Sequence, residues 1–131
     1  MTMNIKRFFT VLGVCFLLTF LTGGCDKSNN TNVNFTIDLT QSQFSQLQAY
    51  GGFVVYNGII IAHTANNTYI AVSAYCTLDN EVLSFYVSQN YFMCQSGHQY
   101  SEQGAILNSP GAASLIVYHT SLVNNLLQIY S

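Results

Sequence analysis

Short apolar runs separated by turn-forming residues constrain the fold of this chain more than any other feature of its sequence. The pair Asn57-Gly58 lies between two such runs, and Asn-Gly supplies the two positive φ angles that a tight hairpin turn requires. Gly51-Gly52 and Pro110-Gly111 break the chain at two further points, as expected of turns. Short strands repeated at regular intervals predict an all-β domain, built as a small antiparallel barrel or sandwich.

The strand predictions follow these runs. In residues 33–39 apolar and polar side chains alternate, which is typical of a strand with one buried face. The predicted strands are 33–39, 53–56, 59–63, 69–74, 82–87, 91–93, 105–107, 115–119 and 126–129, with the last hairpin turning across 122–125. Residues 41–50 are mostly polar, with Phe44 and Leu47 at helical spacing, and this pattern indicates a short helical turn or a loop.

The N-terminal residues 1–24 are typical of a bacterial signal peptide. Lys6 and Arg7 precede an apolar run at 8–20 that is too short to span a bilayer. Leu21-Thr22-Gly23-Gly24-Cys25 then resembles a lipobox, which implies that Cys25 is lipidated and becomes the first residue of the mature protein. We therefore expect residues 25–32 to form a flexible tether, residues 33–131 to form the domain, and the acyl chains to hold the protein at the inner or outer membrane, outside the cytoplasm.

The charge of the predicted mature chain excludes one class of partner. The predicted mature chain has one basic residue, Lys27, and five acidic residues, which gives a formal charge of −4. The acidic residues are Asp26, Asp38, Asp79, Glu81 and Glu102. Nucleic-acid binding is excluded because it needs Lys and Arg to neutralise phosphates. We find no nucleophile elbow and no phosphate-binding loop. Asp79 and Glu81 flank Asn80 and are interpreted as a solvated turn, so no catalytic residue is predicted.

Two cysteines, Cys76 and Cys94, are expected to remain as thiols in the mature protein, because Cys15 leaves with the signal peptide and Cys25 is lipidated. Cys76 lies in Ala74-Tyr75-Cys76-Thr77-Leu78, and Cys94 begins the segment Cys94-Gln95-Ser96-Gly97-His98-Gln99-Tyr100. These segments have a Cys-to-Cys interval of 18 and are followed by Gly104, Leu107-Asn108-Ser109-Pro110 and Leu115 to Tyr118. Together they resemble the Rieske [2Fe-2S] domain, whose two boxes are C-x-H and C-x-x-H-G-S-x-F. The resemblance covers nearly all of 33–131 and implies a Rieske-like small barrel, with a cluster-binding type of subdomain at about 76–110.

The ligand positions depart from that family. A Rieske cluster needs two thiolates on one iron and two imidazoles on the other. Cys76 and Cys94 match the thiolates, but Leu78 and Gly97 stand where the two histidines are expected, and His98 is one residue late. The sequence therefore predicts no cofactor, with [2Fe-2S] implied by family resemblance only. A different metal held by Cys76, Cys94 and His98 remains open, with water or a carboxylate as fourth ligand.

The other histidines are interpreted as structural, because His63 and His119 lie in predicted strands far in sequence from the loops. In the Rieske family both cysteines bind one iron, so the resemblance implies that the two sulfurs lie close together. We therefore predict a structural Cys76–Cys94 disulfide, with two buried thiols as the alternative. Four residues near the second box are expected to seal the loops rather than to form a docking tip: Tyr91, Phe92, Met93 and Tyr100.

Three functional hypotheses follow. The first is a membrane-anchored, non-catalytic Rieske-like lipoprotein that has lost its cluster and keeps a structural or partner-binding role, with a protein partner at the Cys76/Cys94 loop tip. The second is a [2Fe-2S] electron-transfer component of an exported oxidoreductase system, with atypical ligands. The third is a lipoprotein that binds a small molecule or glycan, for which the sequence indicates no site.

Overall fold

The computed structural model describes residues 32–131, so the predicted signal peptide, Cys25 and most of the tether lie outside the described residues. Nine strands and one short 3-10 helix, Ser42–Gln48, make up this part of the chain. The strands are β1 Asn34–Asp38, β2 Phe53–Tyr56, β3 Ile59–His63, β4 Tyr69–Ser73, β5 Ser84–Tyr86, β6 Tyr91–Met93, β7 Gln99–Ser101, β8 Val117–Val123 and β9 Leu126–Tyr130. Among residues 32–131, no helix has the length and apolar character needed to cross a membrane.

Two antiparallel sheets confirm the predicted all-β class. A six-stranded sheet has the order β1-β9-β8-β4-β3-β2, and a three-stranded sheet has the order β5-β6-β7. The smaller sheet lies within the predicted subdomain at 76–110 and carries the second cysteine at the end of β6.

Strand β3 lies between two apolar clusters, because every residue from Ile59 to His63 is buried. Side chains alternate across a strand, so Ile59 and Ile61 pack into one cluster with Leu127. Ile60 and Ala62 pack into the other cluster, which contains both cysteines. The six-stranded sheet is therefore covered on both faces, and the face towards the smaller sheet supports the cysteine loops.

The hairpin at Asn57-Gly58 forms as predicted, with φ angles of 53° and 74° and with Tyr56 opposite Ile59. The predicted helical turn at 41–50 is the 3-10 helix, which buries Phe44 and Leu47. The last hairpin is longer than predicted: β8 runs to Val123, which pairs with Leu126 across a two-residue turn. The predicted strand at 105–107 is reduced to a single bridge between Tyr100 and Ile106.

Strand β7 was not predicted. Gln99–Ser101 contains one apolar residue, Tyr100, between two polar residues, and so short a segment has no periodicity of its own. Pairing with β6 decides its conformation, because Phe92 and Tyr100 lie opposite each other and are both fully buried. This burial also confirms that Phe92 and Tyr100 seal the loops, whereas Tyr91 and Met93 are half-buried.

Candidate metal centre

Two tight loops carry the cysteines. In the first loop, residues 76–81, Cys76 donates its backbone N–H to Glu81 O (2.8 Å) and accepts from Asn80 N–H (3.0 Å). In the second loop, residues 94–98, Gly97 N–H donates to Cys94 O (3.0 Å), and Cys94 N–H donates to His98 O (3.2 Å). Each loop is thus closed by backbone hydrogen bonds to its own cysteine, which hold the backbone of both cysteines in place.

Side chains of the first loop reach the second loop. The Ser96 backbone N–H donates to Glu81 Oε2 at 2.8 Å, and His98 Nε2 lies 3.5 Å from Asp79 Oδ2. The interpretation of Asp79 and Glu81 as a solvated turn holds for the turn itself, in which Asp79 and Asn80 are exposed. The turn exists, since Asn80 has a φ of 59°, but it directs both carboxylates towards the second loop.

A third segment, residues 108–109, holds the second loop from the other side. Asn108 Nδ2 donates to Gly97 O (2.8 Å), and the Gln99 N–H donates to Asn108 Oδ1 (2.8 Å). Ser109 Oγ lies 2.6 Å from His98 Nδ1. Because Nδ1 of the imidazole is engaged by Ser109, Nε2 is the nitrogen that faces Asp79.

Three potential metal-binding atoms converge between the loops. The sulfurs of Cys76 and Cys94 and a carboxylate oxygen of Asp79 all lie within 4.8 Å of one another. Both cysteines are buried, whereas the Asp79 and His98 side chains are 29 % and 27 % exposed. Of the predicted set Cys76, Cys94 and His98, the structure thus brings the two cysteines together and places His98 against Asp79, at the edge of the three.

The predicted disulfide is absent from the structure, in which Cys76 and Cys94 are free thiols. The Cys76 sulfur instead lies 3.3 Å from the hydroxyl of the fully buried Tyr100. Thr77 donates its N–H to that hydroxyl oxygen at 3.1 Å, and its own hydroxyl donates to Ala113 O at 2.8 Å. The Tyr100 proton therefore remains available for the Cys76 sulfur or for Thr77 Oγ1, 2.9 Å away.

The electrostatics of the site favour an anionic Asp79 carboxylate and a neutral Cys94 thiol. The Cys76 thiol that faces Asp79 lowers the pKa of that carboxyl, with a further contribution from Ser96. Burial raises the pKa of the Cys94 thiol, and the neighbouring Cys76 adds to the effect. Burial also raises the pKa of Tyr100. Cys94 is consequently a poor nucleophile at neutral pH, and its thiolate needs a compensating cation.

The described residues do not fit the ligand set of a Rieske cluster. Leu78 offers no lone pair, and its side chain is half exposed. Gly97 has a φ of 88°, a conformation that a histidine there would adopt only with strain. His63 is buried in β3 with Nε2 3.0 Å from Asn67 Oδ1, and His119 is exposed in β8. Both therefore lie outside the loops, as predicted.

Solved structures show the same architecture. The cyanobacterial plasma membrane Rieske protein PetC3 from Synechocystis matches with a TM-score of 0.57 and 18% identity, over 74% of this chain and 99% of that chain. The ferredoxin of carbazole 1,9a-dioxygenase from Nocardioides aromaticivorans matches with a TM-score of 0.57 and 12% identity, over 72% of this chain and 96% of that chain. The fold is Rieske-like.

The Rieske-like fold also occurs in part of a larger protein. The quaternary ammonium Rieske monooxygenase CntA matches with a TM-score of 0.56 and 10% identity, over 76% of this chain and 31% of that chain. No family model and no curated protein matches this sequence. The likeness to these structures therefore establishes the fold of the chain, and the chemistry of its loops has to be argued from its own residues.

Sequence reasoning missed three contributors to this Rieske-like site. Asp79 lies beside both sulfurs, and its position three residues after Cys76 was the available indication. Ser109 lies 11 positions from His98, and Tyr100 lies 24 positions from Cys76. No local pattern links residues so far apart, so those two contacts depend on the folded chain.

Proposed function

We propose that this protein is an exported, lipid-anchored Rieske-like domain that does not carry a [2Fe-2S] cluster and has a non-catalytic, structural or partner-binding role. The observation that carries the proposal is the donor set between the loops. It contains two thiols, one carboxylate and one imidazole, with Leu78 and Gly97 at the positions of the family's histidines. A cluster whose second iron requires two imidazoles lacks one of them here.

The crowding of the donors supports the same conclusion. A binuclear cluster binds its two pairs of ligands to different irons, so the width of the cluster separates the pairs. The Asp79 carboxylate instead lies within 4.8 Å of both sulfurs, a separation suited to ligands of a single ion.

Membrane anchoring is supported by the N-terminal sequence. A basic start, an apolar run and the lipobox-like Leu21-Thr22-Gly23-Gly24-Cys25 precede the domain. Two acyl chains or more give durable anchoring. A docking role for the loop tip is supported by Leu78 of the first loop, an apolar side chain that is 50 % exposed.

Metal and sulfide analysis tests the loss of the cluster. We expect the purified full chain to be colourless, with iron and acid-labile sulfide far below stoichiometry, and to show the same visible spectrum as the double variant Cys76→Ser/Cys94→Ser. Rust-coloured protein with two irons and two sulfides per chain, reduced to background in the double variant, would establish the [2Fe-2S] electron-transfer alternative.

Acyl labelling tests the anchor. Radiolabelled palmitate should enter the wild-type protein and be lost in Cys25→Ser, while Cys15→Ser, a matched change within the predicted signal peptide, keeps the label. Mass spectrometry of the N-terminal peptide should find acyl chains on Cys25. An unmodified mature N-terminus would contradict lipid anchoring.

A further inference from the structure

We propose that Cys76, Asp79, Cys94 and His98 bind one divalent zinc ion in a closed, four-ligand structural site. This inference rests on the proposed absence of a [2Fe-2S] cluster, and it names what the same loops hold instead. The set combines two sulfurs, one oxygen and one nitrogen, the donor types that Zn²⁺ binds in tetrahedral sites.

The distances suit one ion. Metal–ligand bonds of about 2.0–2.3 Å place tetrahedral donors roughly 3.3–3.8 Å apart. His98 Nε2 and Asp79 Oδ2 are separated by 3.5 Å, within that range. The sulfurs of Cys76 and Cys94 and the Asp79 oxygen lie within 4.8 Å of one another, so small rotamer changes bring them to bonding distance. His98 has the largest movement to make, because it lies outside this group of three.

Hydrogen bonds around the donors prepare them for a metal. Ser109 Oγ lies 2.6 Å from His98 Nδ1 and accepts a hydrogen bond from Nδ1–H when Nε2 is a ligand. Metal-binding histidines almost always donate their other N–H in this way. The Tyr100 hydroxyl, 3.3 Å from the Cys76 sulfur, donates to that sulfur once it is a thiolate. His98 and Cys76 thus each have a supporting partner, on the 108–109 segment and on β7 respectively.

Burial of the two sulfurs also favours a cation over free thiolates. Cys76 and Cys94 are 3 % and 2 % exposed, and a buried anion is costly unless it is paired or coordinated. Metal binding releases the thiol protons and makes the coordinated state stable. Four protein ligands leave no open position for substrate, which agrees with a non-catalytic role.

Cobalt titration of the reduced full chain, purified in detergent and stripped with a chelator, tests the site. We expect one Co²⁺ per chain, with a thiolate-to-cobalt charge-transfer band and the intense visible absorption of tetrahedral Co²⁺. Zn²⁺ should displace Co²⁺ and remove both bands. The blank is the double variant Cys76→Ser/Cys94→Ser. It keeps any thiol that remains near the N-terminus and so measures Co²⁺ binding there.

Single variants assign the ligands. His98→Gln and Asp79→Asn should weaken Co²⁺ binding by more than the about 10–100-fold typical of supporting partners, and Ser109→Ala should weaken it by about that 10–100-fold. Two matched controls keep wild-type affinity: His119→Gln changes an exposed histidine of β8, and Asp38→Asn changes a carboxylate at the end of β1. Circular dichroism confirms that each variant is folded.

Three results would overturn the inference. The first is failure of the reduced, folded protein to bind Co²⁺ above the blank, which leaves the cluster-free proposal intact. The second is binding that His98→Gln and Asp79→Asn do not weaken. The third is a purified protein with two irons and two sulfides, which overturns the proposed function together with the zinc site.

Discussion

Tyr100 joins the candidate metal centre to the core of the smaller sheet. Its ring is fully buried opposite Phe92, while its hydroxyl contacts both Cys76 and Thr77 in the first loop. A tyrosine fulfils both functions because it combines a large apolar ring with one polar atom. This single side chain thereby positions the first loop relative to β7.

Removal of that hydroxyl should destabilise the domain. Tyr100→Phe keeps the ring but leaves the Thr77 N–H without its partner, and we expect the free energy of unfolding to fall by about 1–3 kcal/mol. Urea denaturation followed by tyrosine fluorescence measures it. Tyr75→Phe is the control, because that side chain is 42 % exposed and its hydroxyl has no hydrogen bond within residues 32–131. Equal stabilities of the two variants would contradict this role for Tyr100.

Single residues also explain what was predictable at the site. Leu78 and Gly97 are read directly from the sequence, because a hydrocarbon side chain or a hydrogen atom is no metal ligand in any fold. The approach of Asp79 to both cysteines was not predictable, since it depends on how the turn at Asn80 directs a carboxylate towards a loop 15 residues away in sequence.

At the scale of elements, asparagine sets the turns. Every non-glycine residue with a positive φ in residues 32–131 is an asparagine: Asn57, Asn67, Asn80, Asn90 and Asn124. Asparagine tolerates the left-handed conformation better than other side chains do. Hairpin turns were therefore the most predictable elements, and the Asn57-Gly58 turn between β2 and β3 matches its prediction residue by residue.

Asn57 gives a direct test of this reasoning. We expect Asn57→Ala to lower the free energy of unfolding by about 1–2 kcal/mol, because alanine adopts the left-handed conformation only at that cost. Asn57→Gly should stay within a few tenths of a kcal/mol of wild type, since glycine has no such penalty. The two variants are compared by urea denaturation, and an alanine variant as stable as the glycine variant would refute the explanation.

At the scale of the whole molecule, the end of the chain completes the larger sheet. Strand β9 pairs with β1 on one side and with β8 on the other, so residues 126–130 connect the first described strand to the rest of the sheet. Leu127 and Ile129 are fully buried in the cluster shared with Ile61. The cluster that Leu127 and Ile129 share with Ile61 therefore depends on β9.

Two adjacent leucines of β9 test this dependence. Leu127 is fully buried and Leu126 is 50 % exposed, because successive side chains of a strand point to opposite faces. Leu127→Ala should cost about 2–5 kcal/mol of unfolding free energy, whereas Leu126→Ala should change it by no more than about 0.5 kcal/mol. Thermal unfolding followed by circular dichroism compares them, and similar losses in both variants would show that β9 is not part of the core.

The sequence by itself determined the all-β class, most of the strands and turns, the resemblance to Rieske domains and the mismatch at Leu78 and Gly97. These features depend on local periodicity, on backbone preferences at asparagine and glycine, and on which atoms a side chain possesses. Only the tertiary structure decided that Asp79 joins Cys76 and Cys94, that Ser109 orients His98 and that Tyr100 supports the first loop. Apart from the short step from Cys76 to Asp79, those contacts link residues 11 or more positions apart, and the packing of two sheets against each other fixes which of them meet.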